Sequence, residues 1–164
     1  MYSLVLLLLV NNHLIMSKID VVDEAIIDAP PIKVMKAMDD ETAGITNWWP
    51  NMEFKLRAGS PAAGENKIFD MTIKGPVNFR ATQKITKIVE GKSINIDYID
   101  GNFRGIAEWT VEPIDGGKTR LRCRVNVQTK GIASWMPASM LRNGHSKTMQ
   151  DGFKSLNQFL KNKN

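Results

Sequence analysis

Apolar and polar residues alternate with a period of two over most of the chain, which is the pattern of half-buried β-strands. Turn-forming pairs such as Gly75-Pro76, Glu90-Gly91 and Asp100-Gly101 separate the alternating stretches. Because these connections are short, we expect neighbouring strands to pair as hairpins in an antiparallel sheet. The pattern predicts strands at residues 19–28, 52–56, 67–74, 77–89, 93–99, 104–112 and 119–129.

Two short helices are predicted between the first and second strands. Pro30 and Pro31 end the first strand, since proline cannot donate to a sheet but suits the first turn of a helix. The period of 3.6 residues then predicts one helix at residues 32–38. A second short helix is predicted at residues 41–48, stopped by Pro50.

The C-terminal stretch, residues 134–161, switches to helical period and predicts one long helix that lies on the sheet. Its apolar face carries one titratable group, His145. Gly152 on the same face is expected to let the helix backbone approach a strand closely.

Size and composition predict a single globular domain. A chain of 164 residues has room for one core, and 43% apolar with 24% charged residues is far from the profile of a disordered chain. Cys123 is the only cysteine, so the sequence offers no disulfide pair and we expect a cytoplasmic location. The sequence contains no Cys/His spacing that is typical of a metal site, so we expect no metal or cofactor.

The net charge of +5 raises the question of a nucleic-acid or membrane partner. Arg120, Arg122 and Arg124 alternate with apolar residues, as on the solvent face of a strand, and no aromatic residues interleave with them to stack on bases. We therefore expect no nucleic-acid partner.

The N-terminus carries an unbroken apolar run at residues 4–10. It is too short to span a bilayer, which takes about twenty apolar residues, and it lacks the basic start and cleavage site of a signal peptide. We interpret residues 1–15 as an apolar extension and residues 16–164 as the domain, with no stable membrane insertion. A degenerate signal or a lipid-facing anchor stays open as the alternative.

The order of elements resembles that of the START-like (SRPBCC) superfamily, and three stretches carry the same resemblance. VVDEAIIDAPPIKVMKAMDD (21–40) looks like an opening strand, proline turn and first helix of its polyketide cyclase/dehydrase and lipid-transport branch, ITNWWP (45–50) like its second helix, and MQDGFKSLNQFLKN (149–162) like its closing helix. The resemblance implies the α+β helix-grip fold of Bet v 1-like proteins. In it a curved seven-stranded antiparallel sheet and two short helices enclose an apolar cavity against the long C-terminal helix.

A small hydrophobic molecule, such as a lipid or polyketide, is the partner that this cavity implies. The sequence supplies apolar and aromatic side chains suited to its walls, and a group around Trp135 is expected at its mouth. The candidate ligand-binding residues are Trp48, Trp49, Phe79, Tyr98, Trp109, Met136, Met140, His145, Met149 and Phe153.

Catalytic motifs are sparse. His145 is the candidate acid or base, and it either satisfies a core hydrogen bond or points into the cavity. No Ser-His-Asp order, carboxylate pair or phosphate loop accompanies it, so catalysis is not favoured. Its possible partners are Tyr98, Asp70, Asp97 and Asp100, of which Asp70 and Asp97 are expected to face solvent.

Three functional classes stay open for the chain, which we expect to be a monomer or weak dimer. The favoured one is a carrier or sensor of a small apolar ligand. The second is a polyketide cyclase or dehydratase with His145 and Tyr98 as acid/base groups, and the third is a protein-binding module like the co-chaperone members of the superfamily.

Overall fold

A seven-stranded antiparallel sheet forms the body of the protein, and the computed structural model describes residues 17–163. The strand order across the sheet is β1-β7-β6-β5-β4-β3-β2, so that β1 and β2 are the edges. The strands are β1 (Lys18–Ile27), β2 (Met52–Leu56), β3 (Ile68–Ile73), β4 (Phe79–Val89), β5 (Ser93–Gly101), β6 (Phe103–Ile114) and β7 (Lys118–Thr129).

Two α-helices complete the fold, the last one long. Helix α1 (Pro31–Thr42) follows β1, and helix α2 (Ala138–Lys161) closes the chain after a 3₁₀ turn at Gly131–Trp135. The α+β helix-grip prediction and all the predicted strands are confirmed. None of the helices in residues 17–163 is long and apolar enough to cross a membrane.

The second short helix predicted at residues 41–48 is wrong. Helix α1 runs on to Thr42, and Gly44 then turns the chain in a left-handed conformation with φ of +72°. The backbone N–H groups of Trp48 and Trp49 donate to the buried carboxylate of Glu41 at 3.0 Å each, in place of helical carbonyls. A side-chain acceptor therefore organises this loop, which periodicity alone does not reveal.

Helix α2 starts later than predicted and lies along the edge strand β1. Pro137 precedes its first residue and disfavours helical backbone at residue 136. The side chain of Asn157 accepts from the N–H of Asp28 at 2.8 Å and donates to the carbonyl of Ile26 at 2.9 Å. These bonds satisfy backbone groups of the edge strand and fix the helix over the sheet.

The sheet curves around α2, and Gly105 in β6 permits a sharp approach between strands. Its φ is +142°, and a Cβ there would lie 2.2 Å from the carbonyl oxygen of Asn126 on β7. Gly101, at the end of β5, makes a similar approach to β4. Glycine is needed at both places because any side chain would collide with the neighbouring backbone.

Candidate functional site

A cavity of about 620 Å³ lies between the concave face of the sheet and α2. Inward-facing side chains of β3 to β7 form one wall, and α1, the loop after it and α2 form the others. Its apolar lining includes Met71, Phe79, Ile94, Ile96, Ala107, Trp109, Val125, Val127, Leu141 and Met149.

Most of the residues predicted to contact a ligand lie on this cavity. Trp48, Trp49, Phe79, Tyr98, Trp109, Met136, Met140, His145 and Met149 all line it. The exception is Phe153, which is buried in the core and packs edge-on against the Trp109 ring with 6.3 Å between ring centroids. Phe153 therefore supports the wall from behind, because the larger Trp109 ring covers it. Trp135 does not line the cavity either, since its side chain is 85% exposed.

The Trp48–Trp49 pair forms a rigid wall. The two indole rings stack with 5.3 Å between centroids and 14° between planes. Glu41 holds both backbone N–H groups and also accepts from the Thr46 hydroxyl at 2.7 Å. A fully satisfied buried carboxylate thus fixes the loop that presents the two rings.

Gly152 makes room for this wall. A Cβ at Gly152 would lie 2.4 Å from the Trp49 ring, and the Trp49 Nε1 donates to the carbonyl of Thr148 at 3.1 Å. Gly152 was expected to admit a strand, so that expectation is wrong: the approaching group is an aromatic side chain from the loop.

Lys67 anchors helix α1 beside the cavity. Its side chain is fully buried, and Nζ donates to the carbonyl of Asp39 at 2.7 Å, to the Asp39 carboxylate at 2.8 Å and to the Thr42 hydroxyl at 2.9 Å. Burial lowers the pKa of Lys67, although Asp39 opposes the shift. The ammonium group binds the last turn of α1, at the end of the helix where a positive charge complements the helix dipole, and so helps to place Glu41.

His145 is held by a carboxyl group that the sequence analysis did not identify. Its Nδ1 lies 3.2 Å from Oδ2 of Asp23 on β1, and the Asp23 side chain is only 7% exposed. Burial lowers the pKa of His145, and Asp23 opposes that shift without reversing it. We assign the Nδ1 proton to the bond with Asp23, because a neutral ring then keeps Nε2 as an acceptor.

Asp23 takes the place of the possible partners Tyr98, Asp70, Asp97 and Asp100. Asp70 accepts hydrogen bonds from Arg57 and Thr82 on the outer face of the sheet, as expected, and Asp100 pairs with Arg104. The sequence contains a signal that Asp23 faces inward. Asp23 lies on the same face of β1 as Ile19, Val21, Ala25 and Ile27, so a carboxyl group faces the core from an otherwise apolar strand face.

The Nε2 atom of His145 is available to a ligand. It makes no hydrogen bond with residues 17–163, and no buried side-chain nitrogen or oxygen in that range lacks a partner. Nε2 therefore has no hydrogen-bond partner among these residues, and the His145 side chain lines the cavity.

Two further titratable side chains on the cavity, Tyr98 and Cys123, stay neutral near pH 7. Burial raises the pKa of the Tyr98 phenol above its ordinary value, with a further contribution from Cys123 and a smaller opposing one from Gln83. Burial, and then Asp23, raise the pKa of the Cys123 thiol. Neither group supplies an anion near pH 7, so the cavity offers hydrogen bonds on an apolar surface and no thiolate nucleophile.

Metal ligation has no support in the described part of the chain. Residues 17–163 contain no group of three or more His, Cys, Asp or Glu side chains placed to hold an ion.

The model of the family described as polyketide cyclase / dehydrase and lipid transport matches residues 18–160. The chain belongs to this family. The match to the polyketide cyclase/dehydrase and lipid-transport family extends from β1 almost to the end of α2, and it includes every cavity-lining element. No curated protein matches the sequence.

Solved structures of the START-like superfamily share the fold of this family member. A START superfamily protein from Mycobacterium smegmatis is 13% identical with a TM-score of 0.72, covering 88% of this chain and 99% of that chain. The Zhui aromatase/cyclase from a Streptomyces species is 11% identical with a TM-score of 0.67, covering 87% and 93%. A protein from Thermus thermophilus, TTHA0849, is 17% identical with a TM-score of 0.67, covering 87% and 95%. At these identities the likeness establishes the fold alone.

Proposed function

We propose that the protein carries or senses a small, largely apolar molecule that bears a hydroxyl group. The observation that supports this most directly is the cavity of about 620 Å³, since small-molecule sites measure roughly 300–1,000 Å³ and combine apolar walls with few polar groups. The lipid-transport description of the family agrees with this use of the fold.

The hydroxyl group of the ligand is inferred from the state of His145. With Nδ1–H donated to Asp23, Nε2 presents a lone pair to the cavity and needs a donor. An alcohol or phenol supplies that donor, whereas a bare hydrocarbon leaves Nε2 unsatisfied. Tyr98, which lines the cavity from β5, can donate to a second oxygen of the ligand.

Probe binding tests the cavity itself. We expect a fluorescent fatty acid to bind in 1:1 ratio, and Ala107→Phe, which places a ring in the empty space, to weaken binding by at least about tenfold. Phe153→Leu is the control, because Phe153 is buried but does not line the cavity. Val127→Phe repeats the block on β7 should Ala107→Phe fail to fold. Two outcomes would contradict the proposal: no uptake of the probe by the wild type, or uptake by both blocking variants that equals uptake by the wild type.

A pair of probes tests the role of His145. We expect 2-naphthol to bind more tightly than naphthalene, and the ratio of the two affinities to change as pH decreases through the pKa of His145, which burial places below its ordinary value. Protonated Nε2 becomes a donor, so the hydroxyl group of the probe then accepts instead of donating, while naphthalene has no such bond at either pH. His145→Gln should remove the pH dependence. Equal affinities of the two probes at every pH would remove His145 from the site.

A cyclase or dehydratase is the second candidate. The observation in its favour is the buried Asp23, which orients His145 as an acid/base group on the cavity that Tyr98 also lines. A poly-β-ketone thioester incubated with the protein should then cyclise faster than in buffer, and His145→Gln should abolish the difference. Turnover that survives His145→Gln would reject this assignment.

A further inference from the structure

Large apolar side chains are exposed around the point where the cavity reaches the surface. Trp135 is 85% exposed, Met140 55%, Ile132 51% and Val77 40%. We call these four residues the mouth rim. Met140 and Val77 are exposed and also line the cavity, which shows that the cavity opens here.

The mouth rim lies at one end of the sheet. The pairing of Ile73 with Phe79 places the β3–β4 turn, which holds Val77, at that end. The pairing of Phe103 with Thr129 places the end of β7 there as well, and the 3₁₀ turn with Ile132 and Trp135 follows directly. A tryptophan in such a position has no packing role, because almost its whole ring meets solvent.

The charge around the mouth rim is positive. The sequence has no Asp or Glu between Gly116 and Gln150, a stretch that includes Lys130, Arg142 and Lys147. Lys130 and Arg142 are exposed and form no ion pair with the part of the chain that the structure describes. Two acidic side chains at this end of the sheet, Glu53 and Asp100, are already paired with Lys74 and Arg104.

The N-terminal chain joins the domain at this same end. The carbonyl of Ser17 accepts from the N–H of Thr129 at 2.9 Å and from its hydroxyl at 3.1 Å, next to Lys130. The apolar run at residues 4–10 precedes this point in the sequence.

We propose that the mouth rim is a docking surface for an anionic lipid bilayer. Tryptophan prefers the membrane–water interface, where its ring meets acyl chains and its N–H meets headgroups, and exposed lysine and arginine beside it attract anionic lipids. Docking is reversible, since the surface consists of a few side chains and no spanning helix. Given the ligand-carrier function proposed above, the cavity then opens toward the bilayer, and an apolar ligand passes between them without crossing water.

Vesicle co-sedimentation of the full chain tests the proposal. The vesicles contain phosphatidylcholine alone or phosphatidylcholine with phosphatidylserine at 7:3. We expect binding to the mixed vesicles to exceed binding to the neutral ones and to weaken with added salt. Trp135→Ala should reduce binding by at least about tenfold, because one large apolar side chain no longer enters the interface.

Matched variants identify the surface. Arg142→Glu should weaken binding to the mixed vesicles, whereas Lys154→Glu, further along the same helix, should not. Ile26→Ala, which removes an exposed apolar side chain from the opposite end of β1, should also leave binding unchanged. Fatty-acid binding without vesicles should be unaffected by Trp135→Ala, since Trp135 does not line the cavity, so failure of docking and failure of ligand binding are distinguishable.

Three results would overturn the proposal. One is full binding by Trp135→Ala and Arg142→Glu, which would assign membrane affinity to residues 1–16 or to another face. Another is the absence of binding to either vesicle. A change in oligomeric state on Trp135→Ala without lipid would likewise overturn it in favour of a protein contact.

Discussion

His145 lowers the stability of the folded protein at acidic pH. Burial lowers the pKa of His145 in the folded protein, and the carboxyl group of Asp23 compensates only in part. The unfolded chain has the ordinary histidine pKa of about 6.5 and takes up its proton first as pH decreases. Between these two pKa values the unfolded state holds more protons, so the free energy of unfolding decreases as pH falls and is fully retained above about 6.5.

His145→Gln should therefore flatten the dependence of the unfolding free energy on pH in the range below about 6.5 where His145 titrates. The glutamine amide can still donate to Asp23 but does not titrate in this range. Urea unfolding at several pH values measures the slope. His13 is the other histidine of the sequence, and His13→Gln is the matched substitution. If His13→Gln removed the slope and His145→Gln kept it, the assignment to His145 would be wrong.

Helix α2 contains two glycines whose surroundings are opposite. A Cβ at Gly144 would meet nothing within 4 Å, whereas a Cβ at Gly152 would lie 2.4 Å from the Trp49 ring. Both positions have helical backbone, so the loss of helix propensity that glycine causes is the same at each. The effects of alanine at the two positions should therefore differ only through packing.

We expect Gly144→Ala to stabilise the protein by about 0.5–1 kcal/mol through helix propensity. Gly152→Ala should destabilise it by roughly 1–3 kcal/mol in spite of the same gain, because Trp49 is fixed between its bond to Thr148 and the ring of Trp109. Urea denaturation gives both values. Stabilisation by both substitutions would mean that the Trp48–Trp49 wall is not rigid.

The elements that the sequence predicted are those with a repeating local pattern. The strands and α2 follow from the periods of two and 3.6 residues, and the parity of Trp109 and Met149 correctly predicted that they face inward. The loop after α1 could not be predicted, since its backbone bonds to the Glu41 side chain. Phe153 faces inward as its position on α2 indicates but lies in the core, and periodicity does not distinguish cavity wall from core. The position of Asp23 was detectable from its parity, yet its contact with His145 joins residues far apart in the chain.

At the scale of the whole molecule, the shape of the cavity depends on how the sheet bends. At Gly105 a φ of +142° brings β6 against the backbone of β7. Gly117 also has a positive φ, of +70°, but lies in a turn where a Cβ would meet nothing within 4 Å. A side chain at Gly117 would cause backbone strain alone, whereas one at Gly105 would cause strain and a collision between strands.

Gly105→Ala should destabilise the protein by roughly 2–4 kcal/mol, since strain and collision act together. It should also change the affinity for the fluorescent fatty acid. Gly117→Ala should cost only about 1–2 kcal/mol of strain and leave affinity unchanged. Thermal unfolding and probe titration measure the two effects. A Gly105→Ala protein with wild-type stability and affinity would show that the bend does not depend on this glycine.

The position of β1 in the sheet has a consequence for biosynthesis. β1 pairs with β7, from Lys18 with Gln128 to Ile27 with Thr119, so the first strand to leave the ribosome waits for the last strand to be translated. The hairpins from β2 to β7 can pair in the order of synthesis, whereas β1 must close a loop that contains nearly all of them. We expect β1, followed by α2 that packs on it, to join the sheet late, and its apolar face stays exposed to chaperones until then.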